Sequence, residues 1–440
     1  ATLLRDTGLA ASGLDALLHA TTLFTNALIE RRGAKTALIA TAGFEDSIEI
    51  AREHRFDMYD LRMRRPEPLA TQDRRFGVVE RVLADGSVHT ALDPVSVDQV
   101  IEALRQTDVE AIGVCLLHAY ANAAHEQEVA RRIAEALPHV AVTLSSEVAP
   151  EIREYERTST VLANAYVQGI AEKYLDRMLR RLGETGAPER IFVMQSDGGL
   201  ITPPTAARFP IRLVESGPAA GALAVAAHAR AMGLRNVISF DMGGTTAKAA
   251  LIADGQPLTA PEFEVDRRYK FHAGSGLPVR VPVIEMIEIG TGGGSIAHID
   301  TLGRLQVGPE SAGSVPGPAA YGRGGCHPTV TDSDLILGRL GAHSFLGGDM
   351  TLDVAAARQA VSDHLASLNQ TVEALAAGVV AMAEEAMAQA ARIHAIERGV
   401  DLPSFTLFAF GGAGPVHAWG VAERLGTPQI VYPASAGVMS

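Results

Sequence analysis

The sequence has 440 residues, more than a single hydrophobic core usually supports, so we expect two or more domains or lobes. Its composition, 47% hydrophobic and 20% charged, is typical of a folded globular protein. A formal net charge of -13 disfavours nucleic acid and anionic membranes as partners, although backbone N–H groups can still build a local anion site.

The two cysteines, Cys115 and Cys326, are too few and too far apart for a disulfide framework or a cysteine zinc site. We therefore expect two buried thiols in a reducing compartment, which predicts a cytoplasmic protein. No apolar run reaches the roughly 18 residues of a membrane-spanning helix. The first residues lack the layout of a signal peptide, and both ends read as cut from a longer chain.

Apolar runs alternate with amphipathic helical runs along most of the chain, which predicts an α/β fold. Helices are predicted at 97–107, 126–137 and 372–398, and the stripe of Met and Ala along the last one indicates core packing. The predicted strands are 36–41, 111–117, 190–196, 237–241, 247–252, 405–410 and 429–433.

The middle of the sequence is rich in glycine. Segments 274–300 and 311–325 contain too much Gly and Pro for regular elements and are too apolar for disorder, so we expect ordered loops between short strands. A shift in composition near 228–236 predicts two domains, 1–235 and 236–440.

The stretch DMGGTT, residues 241–246, lies between two predicted strands and forms a tight turn. Glycine suits a backbone that needs positive φ or that another group must approach closely. Successive N–H groups and threonine hydroxyls can bind an anion, and Asp241 at the strand end can hold a divalent cation. The pattern suits Mg²⁺-phosphate, and a plain hairpin with a surface aspartate is the alternative.

A second glycine loop, residues 411–415, joins a predicted strand to a helix that carries His417. Glycines at such a junction allow a phosphate or a flat ligand to approach the helix N-terminus. The loop lacks the Gly-Lys-Ser/Thr ending of a P-loop and the spacing of a dinucleotide fingerprint. The chain also lacks the G-x-S-x-G and H-E-x-x-H motifs, so serine hydrolase and zincin functions have no support.

The two loops together, with EVAPEIREYERTSTVLANAYV at 147–167 and VGPESAGSVPGPAAYGRGG at 307–325, resemble the hydantoinase A and 5-oxoprolinase family. The resemblance covers essentially the whole chain. It implies the actin-like ATPase fold, which is ribonuclease H-like and has two lobes with a nucleotide cleft between them.

The resemblance implies roles for both loops. Asp241 would bind Mg²⁺, and Asp241 and Thr245 would act in catalysis. The residues implied to bind ATP are Gly243, Gly244, Thr245, Thr246, Gly411, Gly412, Ala413 and Gly414.

Other matching residues keep two interpretations each. Asp332 and Asp334 could hold a metal or water, or Asp332 or Ser333 could cap the following helix. Arg153, Glu156 and Arg157 could position a substrate or form an ion pair between lobes. His19 matches a family histidine, although a lone histidine on an apolar face is usually a core residue.

Three features depart from the family pattern. Full-length members begin with a first phosphate loop, Asp-x-Gly-Gly-Thr, which is missing upstream of residue 241 here. Many members carry a second aspartate where this chain has Lys248, which puts the detailed Mg²⁺ shell in doubt. HATT at 19–22 and TDSD at 331–334 replace the usual His-Gly-Thr-Thr and Thr-Asp-Ala-Asn.

The resemblance implies an enzyme that uses ATP to open a cyclic amide such as a hydantoin, 5-oxoproline or another lactam. It implies a partner subunit of the hydantoinase B type, and hence a hetero-oligomer. Two alternatives stay open: an ATP-dependent ketone carboxylase subunit, or an ATP-binding regulator without chemistry on a small molecule.

Overall fold

A computed structural model describes residues 13–55, 57–186, 188, 190–267 and 274–439. The chain divides into two compact units, of which the first ends its main segment at residue 219. Segment 259–283 also belongs to the first unit, and residues 220–258 and 284–440 form the second. The sequence-based boundary at residue 235 therefore lies within the second unit.

The regular elements are mixed along the chain, and the predicted α/β class is confirmed. In the first unit the strands are Leu17–His19, Thr36–Thr41, Arg75–Val78, Arg81–Val82, Val88–Thr90, Ala111–Cys115, Ala141–Leu144, Ile191–Met194, Leu200–Ile201, Thr259–Ala260, Phe263–Val265 and Leu277–Val279. Its α-helices are Leu23–Ile29, Ser47–Ile50, Pro94–Arg105, Ala124–Ala136, Ser145–Val148, Glu154–Glu184 and Pro203–Arg208.

Two elements, helix Ser216–Ala231 and strand Val283–Ile284, span the division between the units. In the second unit the strands are Val237–Met242, Ala247–Ala253, Gln256–Pro257, Met286–Ile289, Ser295–Ile299, Leu305–Ser311, Thr406–Phe410 and Gln429–Val431. Its α-helices are Val330–Ile336, Val354–Leu365, Val372–Glu397 and Gly414–Leu425.

The first unit is organised around a four-stranded parallel sheet whose order is Arg75–Val78, Thr36–Thr41, Ala111–Cys115, Ala141–Leu144. Successive side chains of a strand face opposite sides, and the sheet is buried on both. Ala37 and Ile39 accordingly join one apolar core, and Leu38 and Ala40 join the other. At Gly113 a Cβ would lie 2.8 Å from the Val161 side chain. Glycine therefore permits helix Glu154–Glu184 to pack closely against strand Ala111–Cys115.

The second unit contains a mixed sheet centred on strand Val237–Met242. This strand pairs antiparallel with Ala247–Ala253 and parallel with Thr406–Phe410. The long helix Val372–Glu397 lies where the sequence predicts it, and its Leu375, Val379 and Met387 pack in the apolar core on one side of the sheet. The sheet therefore fixes where the loops after residues 242 and 410 begin.

Two expectations about single residues need correction. Cys115 is buried as expected, but Cys326 is exposed, because it follows a glycine-rich loop without apolar periodicity. The ion pair expected between lobes lies within the first unit, where Glu156 contacts Arg52. Arg157, also in the first unit, is buried and donates to the carbonyl of Leu116.

No single helix in the described part of the chain is long and apolar enough to cross a membrane. The bent pair 354–368 and 372–397, with an angle of 86° between its helices, meets the criterion jointly by length and composition alone.

A buried carboxylate ties helix Ala124–Ala136 to the parallel sheet of the first unit. Glu126 is fully buried and accepts hydrogen bonds from the N–H groups of Leu116 and Ser146, at 3.0 and 2.9 Å. It also accepts from the hydroxyls of Ser145 and Ser146, at 2.5 and 2.7 Å. Four donors therefore depend on one side chain.

We expect Glu126→Met to lower the free energy of unfolding by about 3 kcal/mol or more, because each buried donor left without an acceptor is costly. Glu128→Met is the matched control, since Glu128 lies on the same helix, is only half-buried and pairs with a surface arginine. Urea denaturation measures both variants. Equal stability of the two variants would contradict this role for Glu126.

Candidate functional site

Two predicted loops meet in the second unit, at the ends of two neighbouring parallel strands. Strand Val237–Met242 leads into the loop 243–246, and strand Thr406–Phe410 leads into the loop 411–414. The carboxyl ends of parallel strands lie at the same edge of a sheet, so the two loops adjoin. The N–H of Ala413 donates to the carbonyl of Met242 at 2.9 Å.

Gly411 permits this close approach. Its φ is +83°, and a Cβ there would lie 2.3 Å from Asp241 Oδ1 and 2.6 Å from the Met242 oxygen. Any other residue would clash with the backbone of the first strand, and positive φ adds strain for a side chain with Cβ. The glycine is therefore required by packing, with or without a ligand.

A third glycine loop, residues 292–294, supports the first one from behind. The N–H groups of Gly293 and Gly294 donate to the carbonyls of Gly243 and Gly244, at 3.1 and 2.6 Å. A Cβ on Gly292 would lie 2.6 Å from the carbonyl carbon of Thr245. The run of three glycines at 292–294 is the signal in the sequence that could have assigned this loop its role.

Three other glycines of the two loops are not required by packing. No heavy atom lies within 4 Å of a Cβ built on Gly244 or Gly412, and only the Thr246 oxygen, at 3.9 Å, is near one built on Gly243. None of the three has positive φ. Glycine without strain or contact is expected where another molecule approaches the backbone.

Three N–H groups of the two loops are free of protein acceptors among the described residues. In the described part of the chain, the N–H groups of Gly244, Thr245 and Gly412 donate to no protein acceptor. Gly244, Thr245 and Gly412 are also exposed. Such N–H groups around a turn and before a helix form a suitable site for a phosphate.

Asp241 lies at the end of its strand beside these donors. Its register partner across the antiparallel pair is Lys248, which itself faces Glu288 on the next strand. The Lys248 ammonium lies 3.9 Å from a Glu288 oxygen. Among the described residues no group of three or more His, Cys, Asp or Glu could hold a metal ion. A Mg²⁺ here would depend on one carboxylate, phosphate oxygens and water, which is a common arrangement for this ion.

A buried charged cluster lies behind the second loop. His417 is fully buried, with Nε2 at 3.1 Å from Asp334 and Nδ1 at 3.5 Å from Glu384. Glu384 also binds Arg339 and Arg424, at 2.7 and 2.8 Å. Burial acts to lower the pKa of His417, but the two carboxylates outweigh it and raise the pKa to about 9.

Asp332 does not serve as a metal ligand in this arrangement. Its carboxylate accepts from the N–H groups of Ala319, Ala320 and Thr329 and from the Thr329 hydroxyl. Thr329 is the N-cap of helix Val330–Ile336, and Asp332 completes a capping box three residues later. Capping is therefore the correct interpretation, with Thr329 rather than Asp332 as the cap.

His19 has a structural partner in the first unit. Its Nε2 lies 2.9 Å from the Tyr174 hydroxyl, and burial lowers its pKa. A neutral histidine held by a tyrosine agrees with the core interpretation.

Comparison with known proteins assigns the chain to a family. Residues 157–440 match the hydantoinase/oxoprolinase model, and residues 1–137 match the hydantoinase/oxoprolinase N-terminal region. The chain belongs to the hydantoinase/oxoprolinase family. The resemblance stated from the motifs is thereby confirmed.

Members of the family with different activities are similar to this chain. Caprolactamase subunit alpha of Pseudomonas jessenii is 36% identical, over 96% of this chain and 60% of the relative. The acetophenone carboxylase gamma subunit of Aromatoleum aromaticum is 34% identical, over 96% of this chain and 58% of the relative. The crystal structure of ATP-dependent caprolactamase from Pseudomonas jessenii superposes with a TM-score of 0.84 at 34% identity, over 98% of this chain and 62% of that one. The chain thus spans less than two thirds of these relatives.

The geometry brings the predicted ATP-binding residues of this family member together in one unit. Residues 243–246 and 411–414 adjoin, with the Asp241 carboxylate beside Gly411. Their roles in nucleotide binding, metal binding and catalysis stay predictions. The cluster around His417 and the supporting loop 292–294 are additions that sequence reasoning missed.

We expect Gly411→Ala to destabilise the second unit, because the new methyl group would displace the Asp241 carboxylate or the Met242 backbone. Gly412→Ala is its matched control, since its Cβ would meet no atom within 4 Å. Thermal unfolding compares the two variants. If the Gly411→Ala and Gly412→Ala variants unfolded at the same temperature, the described close approach of the two loops would be contradicted.

The His417 cluster predicts a pH dependence of stability. The pKa of about 9 in the folded chain exceeds the ordinary value of 6.5, so protonated His417 stabilises the fold fully below pH 6.5. This contribution, about 3 kcal/mol, is lost as the pH rises through 9.

Chemical denaturation of wild type and His417→Gln between pH 6 and 10 tests this expectation. The free energy of unfolding should fall over this range more steeply for wild type than for the variant. His298→Gln, which alters an exposed histidine of the same unit, should behave like wild type. Parallel curves for wild type and His417→Gln would show that His417 does not titrate as described.

Proposed function

We propose that this chain is the ATP-dependent subunit of an enzyme that opens a cyclic amide, such as a hydantoin, 5-oxoproline or another lactam. The observation that carries the proposal is the open space beside Gly243, Gly244 and Gly412, lined by N–H groups without a protein acceptor. A similarity to an ATP-dependent caprolactamase supports the cyclic amide as the substrate class.

The chemistry explains why ATP would be needed. Amide resonance, which gives a rotation barrier of about 18–20 kcal/mol, makes the carbonyl a poor electrophile. Transfer of the terminal phosphoryl group of ATP to the amide oxygen, which releases ADP, would make the carbon a better electrophile. Water would then add to the carbon, the ring C–N bond would break with a proton going to the nitrogen, and hydrolysis of the resulting acyl phosphate would release phosphate. The protein's part is to position the groups and to neutralise charge.

Each loop would contribute to ATP binding through its backbone. Gly244, Thr245 and Gly412 would donate N–H groups to phosphate oxygens, and the Thr245 and Thr246 hydroxyls would add further donors. Asp241 would hold Mg²⁺, which supplies charge neutralisation on the phosphates. Ala413 and Gly414 would line the adenosine side, as in an actin-like ATPase with two lobes.

The same proposal implies a partner subunit and a cellular location. A partner of the hydantoinase B type would complete the hydrolysis. The relatives are named as alpha and gamma subunits, which supports a hetero-oligomer. ATP use and two free thiols favour the cytoplasm.

A second candidate is a ketone carboxylase subunit. Similarity to the acetophenone carboxylase gamma subunit extends over 96% of this chain, the same share as for the caprolactamase subunit. Here the phosphoryl acceptor would be an enolate or bicarbonate. With the full-length protein and its partner subunit, caprolactam, hydantoin or 5-oxoproline should stimulate ADP release, and acetophenone or acetone would do so instead if this alternative holds.

We expect Gly244→Ala and Asp241→Asn to weaken MgATP binding by about tenfold or more, a loss of roughly 1.4 kcal/mol. Gly244→Ala should leave thermal stability unchanged, since its methyl group would occupy only open space. Calorimetric titration with MgATP measures binding, and Gly169→Ala, likewise without contacts but in the first unit, is the control.

Normal MgATP binding by Gly244→Ala would contradict the phosphate loop. Failure of wild type itself to bind MgATP would contradict the proposed function.

A further inference from the structure

Helix Val330–Ile336 of the second unit packs behind the candidate site and contacts elements that belong to both glycine loops. The helix begins at the capping box of Thr329 and Asp332, and its residues 330–335 are buried. A helix this short gains little stability from its own hydrogen bonds, so tertiary contacts must hold it in place. Those contacts also act on the loops in the opposite direction.

The first contact joins Thr331 to the supporting loop 292–294. Both the N–H and the hydroxyl of Thr331 donate to the carbonyl of Gly293, at 2.7 and 2.8 Å. Thr331 is buried, so water does not compete for these bonds. A Cβ on Gly293 would lie 2.9 Å from the Thr331 hydroxyl oxygen, so glycine permits this close approach.

Peptide planarity carries the effect of Thr331 to the phosphate loop. The Gly293 carbonyl and the Gly294 N–H belong to one planar trans peptide unit, so they point in opposite directions. With the carbonyl held by Thr331, the Gly294 N–H faces the other way and donates to the carbonyl of Gly244 at 2.6 Å. The Gly244 carbonyl shares a second peptide unit with the Thr245 N–H, which is therefore directed away from loop 292–294.

The second contact joins the same helix to the helix that follows loop 411–414. Asp334 lies three residues after Thr331, and its carboxylate is 3.1 Å from His417 Nε2. His417 lies in the first turn of helix Gly414–Leu425. The short helix 330–336 thus fixes the two glycine loops relative to each other, one through Thr331 and the other through Asp334.

We propose that Thr331 is a positioning residue for nucleotide binding, whose hydroxyl holds the peptide unit that orients the Thr245 N–H toward the phosphates. The inference rests on the proposed function, because it concerns the same site. Thr331 acts through two peptide units rather than by contact with ATP. Without its hydroxyl the peptide units are held less firmly, and ATP binding then carries an additional ordering cost.

Thr331→Val tests the role of the hydroxyl, since it removes that group and keeps the shape of the side chain. Calorimetric titration of MgATP into the full-length protein should show binding weaker by about fivefold, because one hydrogen bond that orients the peptide units is lost. Thr331→Ser keeps the hydroxyl and should bind MgATP within about twofold of wild type. Failure of the serine variant to restore binding would overturn the proposal.

Ser333 provides the matched control for a merely structural effect. Its side chain is also buried in helix Val330–Ile336, and its hydroxyl donates to the carbonyl of Thr329 at 3.0 Å. Ser333→Ala therefore removes a buried hydroxyl donor that contacts neither glycine loop. Thermal unfolding should show similar losses for Ser333→Ala and Thr331→Val, whereas MgATP binding should weaken only in Thr331→Val. Equal weakening by both variants would overturn the positioning role.

Binding by wild type separates this inference from the proposed function. If wild type does not bind MgATP, the proposed function is contradicted and the inference falls with it. If wild type binds MgATP and Thr331→Val binds it equally well, only the role of Thr331 is wrong.

Discussion

The contact on which the candidate site depends is made between main chains. Three loops meet through hydrogen bonds from Ala413 to Met242, from Gly293 to Gly243 and from Gly294 to Gly244. Strands of one sheet set the starting points of the loops, and glycine permits their close approach. Since no side chain separates them, the N–H groups that remain unpaired are held in place by the sheet rather than by flexible side chains. Such preorganisation is what binding and stabilising a phosphate require.

The charged cluster around His417 fixes the position of a helix in the core of the second unit. Glu384 lies on the long helix and contacts two arginines and His417. A Cβ at Gly420 would overlap the Glu384 carboxylate. His417 lies in the first turns of the helix that follows loop 411–414. Removing one member of a buried ion cluster leaves the others without a partner and is costly, so the cluster favours a single arrangement of that helix.

Much of the fold could be predicted because its signals are local. Strand Thr36–Thr41 and the long helix after Thr371 follow from apolar runs and periodicity, and the two glycine loops follow from motif and position. The Glu384 cluster could not be predicted, since its members are far apart in sequence and only the fold joins them. Segment 259–283 packs with the first unit, which no change in composition indicates.

The glycines of the site fall into two groups with different physical causes. Gly411 and Gly292 are fixed by neighbouring backbone, so their presence says only that the loops pack closely. Gly244 and Gly412 have open space beside them and no unusual φ, so the fold alone does not explain them. Relatives named for a lactam and for a ketone match the same region of this chain. Glycines of this second group would therefore serve a step that both activities share.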